Sequence, residues 1–278
     1  MKKAFSFALI LVVTIVLCFT GCGKAPDEIG SAAQSESGTN QGQETSASDF
    51  KYSVNEEAAA ITEYIGTDKT VVIPEKIEGK NVTTIFSCAF QNKSIKKVII
   101  PSTVTQIWDH AFAYCDSLKV VIFGDNVTEI MEQAFYKCTL LAEIVLPQKL
   151  EKLGHQAFSS CSSLKKVLIP KNMNQMGMEA FLSCPIEELI LEDGIKKFGA
   201  YASFWGATLK ELTIPASVEE ISEYTFHDHL EKVTFLGDAP KELGKQPFGT
   251  NATIYYKKGT NGWEDTALKK EYQLIAQK

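Results

Sequence analysis

Arginine is absent from this sequence of 278 residues: all 28 basic side chains are lysine, set against 34 carboxylates for a formal charge of −6. Arginine's planar fork dominates bidentate recognition of phosphates and base edges. An acidic chain that lacks it is not built for nucleic acid. Histidine is scarce, with four residues. His110 and His155 stand at different offsets from the phenylalanines that follow them, so they do not stack. His227-Asp228-His229 offers i, i+2 spacing and no third ligand, which falls short of a metal site. There is no G-x-S-x-G, no H-E-x-x-H and no phosphate-binding glycine loop. The carboxylates form no fixed pair. We therefore expect no enzyme activity, no metal and no cofactor.

Long apolar runs are missing too, with one exception. Residues 4–20 are apolar apart from Ser6, Thr14 and Thr20. They follow Met1-Lys2-Lys3 and lead into Phe19-Thr20-Gly21-Cys22. This order resembles a bacterial lipoprotein signal, although Phe19 stands where that motif usually has leucine. The resemblance implies a signal over residues 1–21 and a lipid on Cys22, the new N-terminus. Cys18 lies inside the leader. The competing reading is an uncleaved anchor, for which the run is at the short limit. Loss of Lys2 and Lys3 with the leader takes the charge from −6 to −8. Residues 23–48 are rich in Ser, Gly, Gln, Glu, Thr and Ala and too poor in apolar side chains to bury a core. The expectation for 22–49 is a lipidated cysteine and a disordered linker, averaging roughly 25–30 Å end to end.

What the rest of the chain has is repetition. Ala111-Phe112 with Cys115 recurs as Ala134-Phe135 with Cys138, Ala157-Phe158 with Cys161, and Ala180-Phe181 with Cys184, always 23 residues apart. Weaker copies surround Phe90, Phe204, Phe226 and Phe248. The full template is L-x-x-I-x-I-P, then V-x-x-I-G, then A-F-x-x-C. Its first part alternates as a half-buried strand does, and proline ends the strand at Pro74, Pro101, Pro147, Pro170 and Pro215. One such unit cannot bury its own apolar face, so neighbours must stack around a shared core.

These units resemble the BspA-type leucine-rich repeat of bacterial surface proteins, over roughly residues 50 to 263. Gly124 and Glu192 depart from the template at the proline position, and Ala207 and His229 at the cysteine position. The unit ending in Ser203-Phe204-Trp205-Gly206 is the most degenerate. The resemblance implies an α/β leucine-rich-repeat solenoid, strand-dominated, with few or short helices. The repeat domain is expected over 50–278: an N-terminal cap at 50–69, repeats at 70–250 and a C-terminal cap at 251–278. Within the caps, Tyr52-Ser53-Val54 and Ala60-Ile61-Thr62 read as a hairpin. Residues 264–278 read as a helix with Leu268, Tyr272 and Ile275 on one face.

Cys115, Cys138, Cys161 and Cys184 share one phase and should form a ladder at roughly 4.8 Å spacing. Their parallel Cβ directions are poor for bridging. Small buried thiols are expected there, and Cys88 is taken as a further core-packing residue.

The outward strand positions carry the functional expectation. Between each inward pair stands one residue that must face out. These are Val72, Ile99, Ile122, Val145, Leu168 and Ile190, followed by Thr213 and Thr234. The six apolar members make a stripe ~24 Å long at strand spacing. Lys97, Lys119 and Lys166 flank it early, and Glu188 late. Two readings of this column stand: a partner-binding surface, or β-branched residues that only stabilise neighbouring strands.

The expected role is that of a monomer, lipid-anchored at the cell surface, binding an extracellular protein or glycan. Adhesion or host-matrix interaction is what the family resemblance implies. An envelope scaffold that binds a bacterial partner is the alternative. A cell-wall glycan-acting enzyme comes third and would need two carboxylates facing each other across a cleft.

Overall fold

The computed structural model describes residues 43–278 except position 228. The signal, Cys22 and most of the linker lie outside the described residues. The chain coils into a strand-dominated solenoid of about ten turns. Among the described residues there is no α-helix, only the 3-10 turns Ala47–Asp49 and Ala267–Lys270.

Each turn has three sides. The L-x-x-I-x-I-P segments form the first. There the parallel ladders are Thr70–Val72, Lys97–Ile99 and Val120–Ile122; then Glu143–Val145, Lys166–Ile169 and Glu188–Leu191; then Glu211–Ile214, Lys232–Phe235, Thr253–Lys257 and Gln273–Gln277. The V-x-x-I segments supply two-residue strands on the second side, such as Glu129–Ile130 paired in parallel with Lys152–Leu153. The A-F-x-x-C segments make the third side. They reverse direction through left-handed residues such as Gln133 and Lys137, with φ of 51° and 57°. Non-glycine residues reach that region at a cost. Here it is offset by hydrogen bonds from turn to turn: Phe112 N donates to Ala134 O at 2.7 Å, Phe135 N to Ala157 O at 2.8 Å and Phe158 N to Ala180 O at 2.8 Å.

The repeat phenylalanines meet inside as one buried stack. From Phe90 to Phe204 neighbouring ring centroids are 4.7 to 5.5 Å apart and the planes lie within 17° of each other. A tyrosine closes each end. Tyr64 stacks on Phe90 at 5.3 Å and Tyr272 meets Phe248 edge-on at 6.0 Å. Their hydroxyls reach backbone carbonyls, Tyr64 to Asp68 O and Tyr272 to Gly249 O. Tyrosine suits a core end because its ring is apolar and its tip is polar.

The four phased cysteines are free and buried. Each thiol donates to the carbonyl of the phenylalanine one turn earlier: Cys115 to Phe90 at 3.0 Å, Cys138 to Phe112 and Cys161 to Phe135 at 3.3 Å, Cys184 to Phe158 at 3.0 Å. Burial pushes the Cys115 thiol up to about 12, and Cys138 and Cys161 well above the usual range. All four side chains serve as small hydrogen-bond donors.

Three expectations are corrected. Cys88 is exposed and packs in no core. It precedes Ala89 as His110 precedes Ala111, so it occupies the outward left-handed position of its turn, with φ of 62°. The 264–278 helix is replaced by the 3-10 turn Ala267–Lys270 and the strand Gln273–Gln277, which pairs in parallel with Thr253–Lys257. Leu268 and Tyr272 are buried through that turn rather than along a helix face. The end of the linker is ordered as well. Thr45 is buried, its N donates to Val72 O at 2.9 Å, and its Oγ1 accepts from Val72 N at 3.0 Å. Residues 43–49 thus cover the outer edge of the first strand, a protection that exposed sheet edges require.

The N-terminal hairpin is present as the antiparallel strands Phe50–Val54 and Ala59–Tyr64.

Candidate functional site

The strand side carries the expected column. The alternation sets its phase: Val98, Val121, Ile144, Val167 and Leu189 are buried, while Ile99, Ile122, Val145, Leu168 and Ile190 are half-buried. Val72 aligns with Ile99 and Ile122 in one ladder. Val145 aligns with Leu168 and Ile190 in the next. The six residues are therefore two triplets, each in register, belonging to separate sheets. The break follows Phe123-Gly124. Inside the first triplet, a Cβ on Gly124 would lie 2.3 Å from Pro101 O, so those two turns approach as only glycine allows.

The charged flanks divide unequally. Lys166 pairs with Glu188 at 2.8 Å and Lys165 with Glu187 at 2.7 Å. Lys210 reaches Glu231 and Lys232 reaches Glu211, at 2.8 and 2.9 Å. Lys97 is half-buried beside Val98, in register with Thr70 and Val120. Lys119 is exposed, as is Lys96, and among the described residues neither has a carboxylate partner. The early rim is thus cationic, and the late rim is neutralised pair by pair.

Below Ile190 the strand side breaks again, between Glu188–Leu191 and Glu211–Ile214. A shallow depression of about 480 Å³ lies there, with Ile190, Thr213 and Leu236 in its floor and Glu187, Glu188 and Glu211 on its rim. All three carboxylates are ion-paired, with Lys165, Lys166 and Lys232 respectively. Among the described residues no group of three or more His, Cys, Asp or Glu is placed to hold a metal.

The family model for the BspA type Leucine rich repeat region matches six copies, over residues 83–206 and 200–256. The chain belongs to this family. Among solved structures, this BspA-type protein is similar to the T. pallidum leucine rich repeat protein TpLRR: 29% identity, 73% of this chain and 86% of that one covered, TM-score 0.56. Leucine-rich repeat proteins from Bacteroides capillosus (30% identity, 44% of this chain, 95% of that one, TM-score 0.41) and Bacteroides ovatus (20%, 83%, 76%, 0.48) also match. No curated protein matches.

One feature of this BspA-type chain was not visible in the repeat template. The turn side carries a cluster of aromatic residues; Tyr201 and Trp205 stand where the preceding turn has Met178 and Leu182. Tyr201, Trp205, Tyr224 and His227 touch one another, with centroids 5.3 to 6.0 Å apart. Tyr201 and Trp205 fall in the unit whose sequence is most degenerate, Tyr224 and His227 in the next. That degeneracy was the available signal, because aromatic residues there replace positions the stack does not need.

Proposed function

We propose that this protein is a cell-surface binding protein, held to the membrane by a lipid on Cys22, whose strand side engages an extracellular protein. The observation that carries the reading is the pair of in-register apolar triplets, half-exposed on a rigid stack and bordered by the cationic Lys96 and Lys119. An apolar centre with a polar rim is how binding patches are built, and repeat solenoids present them on extended faces. Membership of a family of bacterial surface repeat proteins supports the location. The described chain enters the solenoid along the first strand, at Thr45.

Two experiments test this. Metabolic labelling with a fatty-acid analogue should tag the full chain and leave Cys22→Ala untagged; equal labelling sinks the anchor. Binding of the full chain to immobilised fibronectin, laminin or collagen should saturate for at least one of them. Ile122→Glu with Leu168→Glu should abolish it. Capture that survives the double substitution would leave the column as strand stabilisation alone.

A further inference from the structure

We propose a second binding site, on the turn side, for a neutral extended glycan that lays pyranose rings on Tyr201 and Trp205. This goes beyond the strand-side reading and does not depend on it.

The rings form a floor with walls. Tyr201 and Trp205 are inclined by only 38°, with centroids 5.8 Å apart. Tyr224 stands at 76° to Tyr201, and His227 at 74° to Trp205. Trp205 Nε1 donates to Tyr224 O at 2.9 Å. The indole is thereby fixed, and its one polar group is used internally. What it can offer a ligand is ring surface. Tyr201 is 42% exposed, and one turn earlier Met178 is 54% exposed, extending the floor along the stack.

The surroundings select among ligand classes. A peptide strand would need a free backbone edge. Here the backbone is taken up from turn to turn: Glu179 N donates to Tyr201 O, Ser183 N to Trp205 O and Ala202 N to Tyr224 O. A charged ligand would need an unspent opposite charge. Lys245 Nζ already lies over the Tyr224 ring at 5.9 Å, with the Glu223 and Glu271 carboxylates near it. The Glu179 carboxylate accepts from Gln156 Nε2 at 2.6 Å. Aromatic faces with engaged charges match the C–H face of an uncharged sugar. The face of a pyranose is apolar and its edge is polar, so the ring rests on the floor while its hydroxyls reach His227 and Glu179. Turn-to-turn spacing of ~4.8 Å places successive floor residues about one sugar unit apart.

The test uses the full chain with two uncharged β-linked hexasaccharides, cellohexaose and hexa-N-acetylchitohexaose, read by tryptophan fluorescence and by saturation-transfer NMR. At least one should bind saturably, with affinity unchanged in high salt. Trp205→Ala and Tyr201→Ala should each lose about tenfold or more. Tyr201 is the more exposed of the two, so its variant remains informative if Trp205→Ala disturbs folding, which a denaturant melt reports. Trp108→Ala, a distant exposed indole, and the Ile122→Glu, Leu168→Glu pair should bind as wild type does. The proposal is overturned if neither hexasaccharide binds saturably, or if Trp205→Ala and Tyr201→Ala bind undiminished. It is equally overturned if these variants abolish capture of a matrix protein while the sugars do not bind.

Discussion

The turns from residue 89 to 184 and those from 197 to 257 share a backbone course but hold together differently. In the first region four thiols bond to phenylalanine carbonyls, and the rings stack within 17° of parallel. In the second no thiol remains, and Phe226 to Phe248 opens to 6.3 Å and 27°. Lysine–glutamate pairs take over the outside, as in Lys196 to Glu219, Lys197 to Glu220 and Lys232 to Glu211. The difference shows that the period requires a shape from each turn, not a fixed set of bonds. The opening is confined to that last step, since Phe204 and Phe226 still stack at 5.0 Å and 14° beneath the surface aromatic residues.

The largest test of this contrast is a cavity. Phe158→Ala should cost on the order of 3–5 kcal/mol, since its ring is sandwiched at 5.0 and 5.5 Å. Phe226→Ala, in the looser region, should fall at or below the bottom of that range. His155→Ala, on the same turn as Phe158 but outside, should stay within about 0.5 kcal/mol. Denaturant midpoints decide; equal losses at Phe158 and His155 would break the register. Next comes the thiol ladder. Cys161→Ala should cost about 1 kcal/mol, because Ala207 already fills the equivalent position. In native protein all four thiols should resist iodoacetamide. After denaturation without reductant, all four should be alkylated and detected by mass spectrometry. A pair that stays protected until reductant is added would contradict the free thiols.

The period made the strands, the phenylalanine stack and the cysteine phase legible in the sequence, because each must recur for turns to stack. What deviates from the period was not legible. Leu268, Tyr272 and Ile275 are spaced for a helix, yet the open edge of Thr253–Lys257 offered parallel pairing, and that tertiary contact overrode the local pattern. Cys88 read as core by residue type, while its place before Ala89 marked an outward left-handed position. On the candidate site, the in-or-out phase of Val72 to Ile190 followed from alternation. The division into two triplets, after Val120–Ile122 and before Glu143–Val145, is not encoded by alternation.

Smaller effects separate the two regions on their surfaces. Lys166→Glu would oppose Glu188 at a half-exposed site and should destabilise by up to about 1 kcal/mol, less in high salt. The smallest effect concerns acid. Lys196 and Lys241 hold the Glu219 carboxyl down to about 2 from its ordinary 4.5. A lowered folded-state value means the stabilisation is complete above about 4.5 and disappears as the pH falls toward 2. Melting temperatures of wild type and Glu219→Gln should therefore differ slightly near neutrality and converge near pH 2. A gap that widens on acidification would reverse the assignment.

The ladder hydrogen bonds have a mechanical consequence. They run between turns, along the axis of the stack, while residue 43 enters at one end and Gln273–Gln277 closes the other. A pull applied to the two ends therefore loads the turns in series and peels them one at a time. It does not shear a whole sheet at once. Each released turn of 23 residues would yield ~75–80 Å of slack chain. The molecule would lengthen under tension in steps, with the looser region of residues 197–257 giving way first and the phenylalanine-sandwiched turns last.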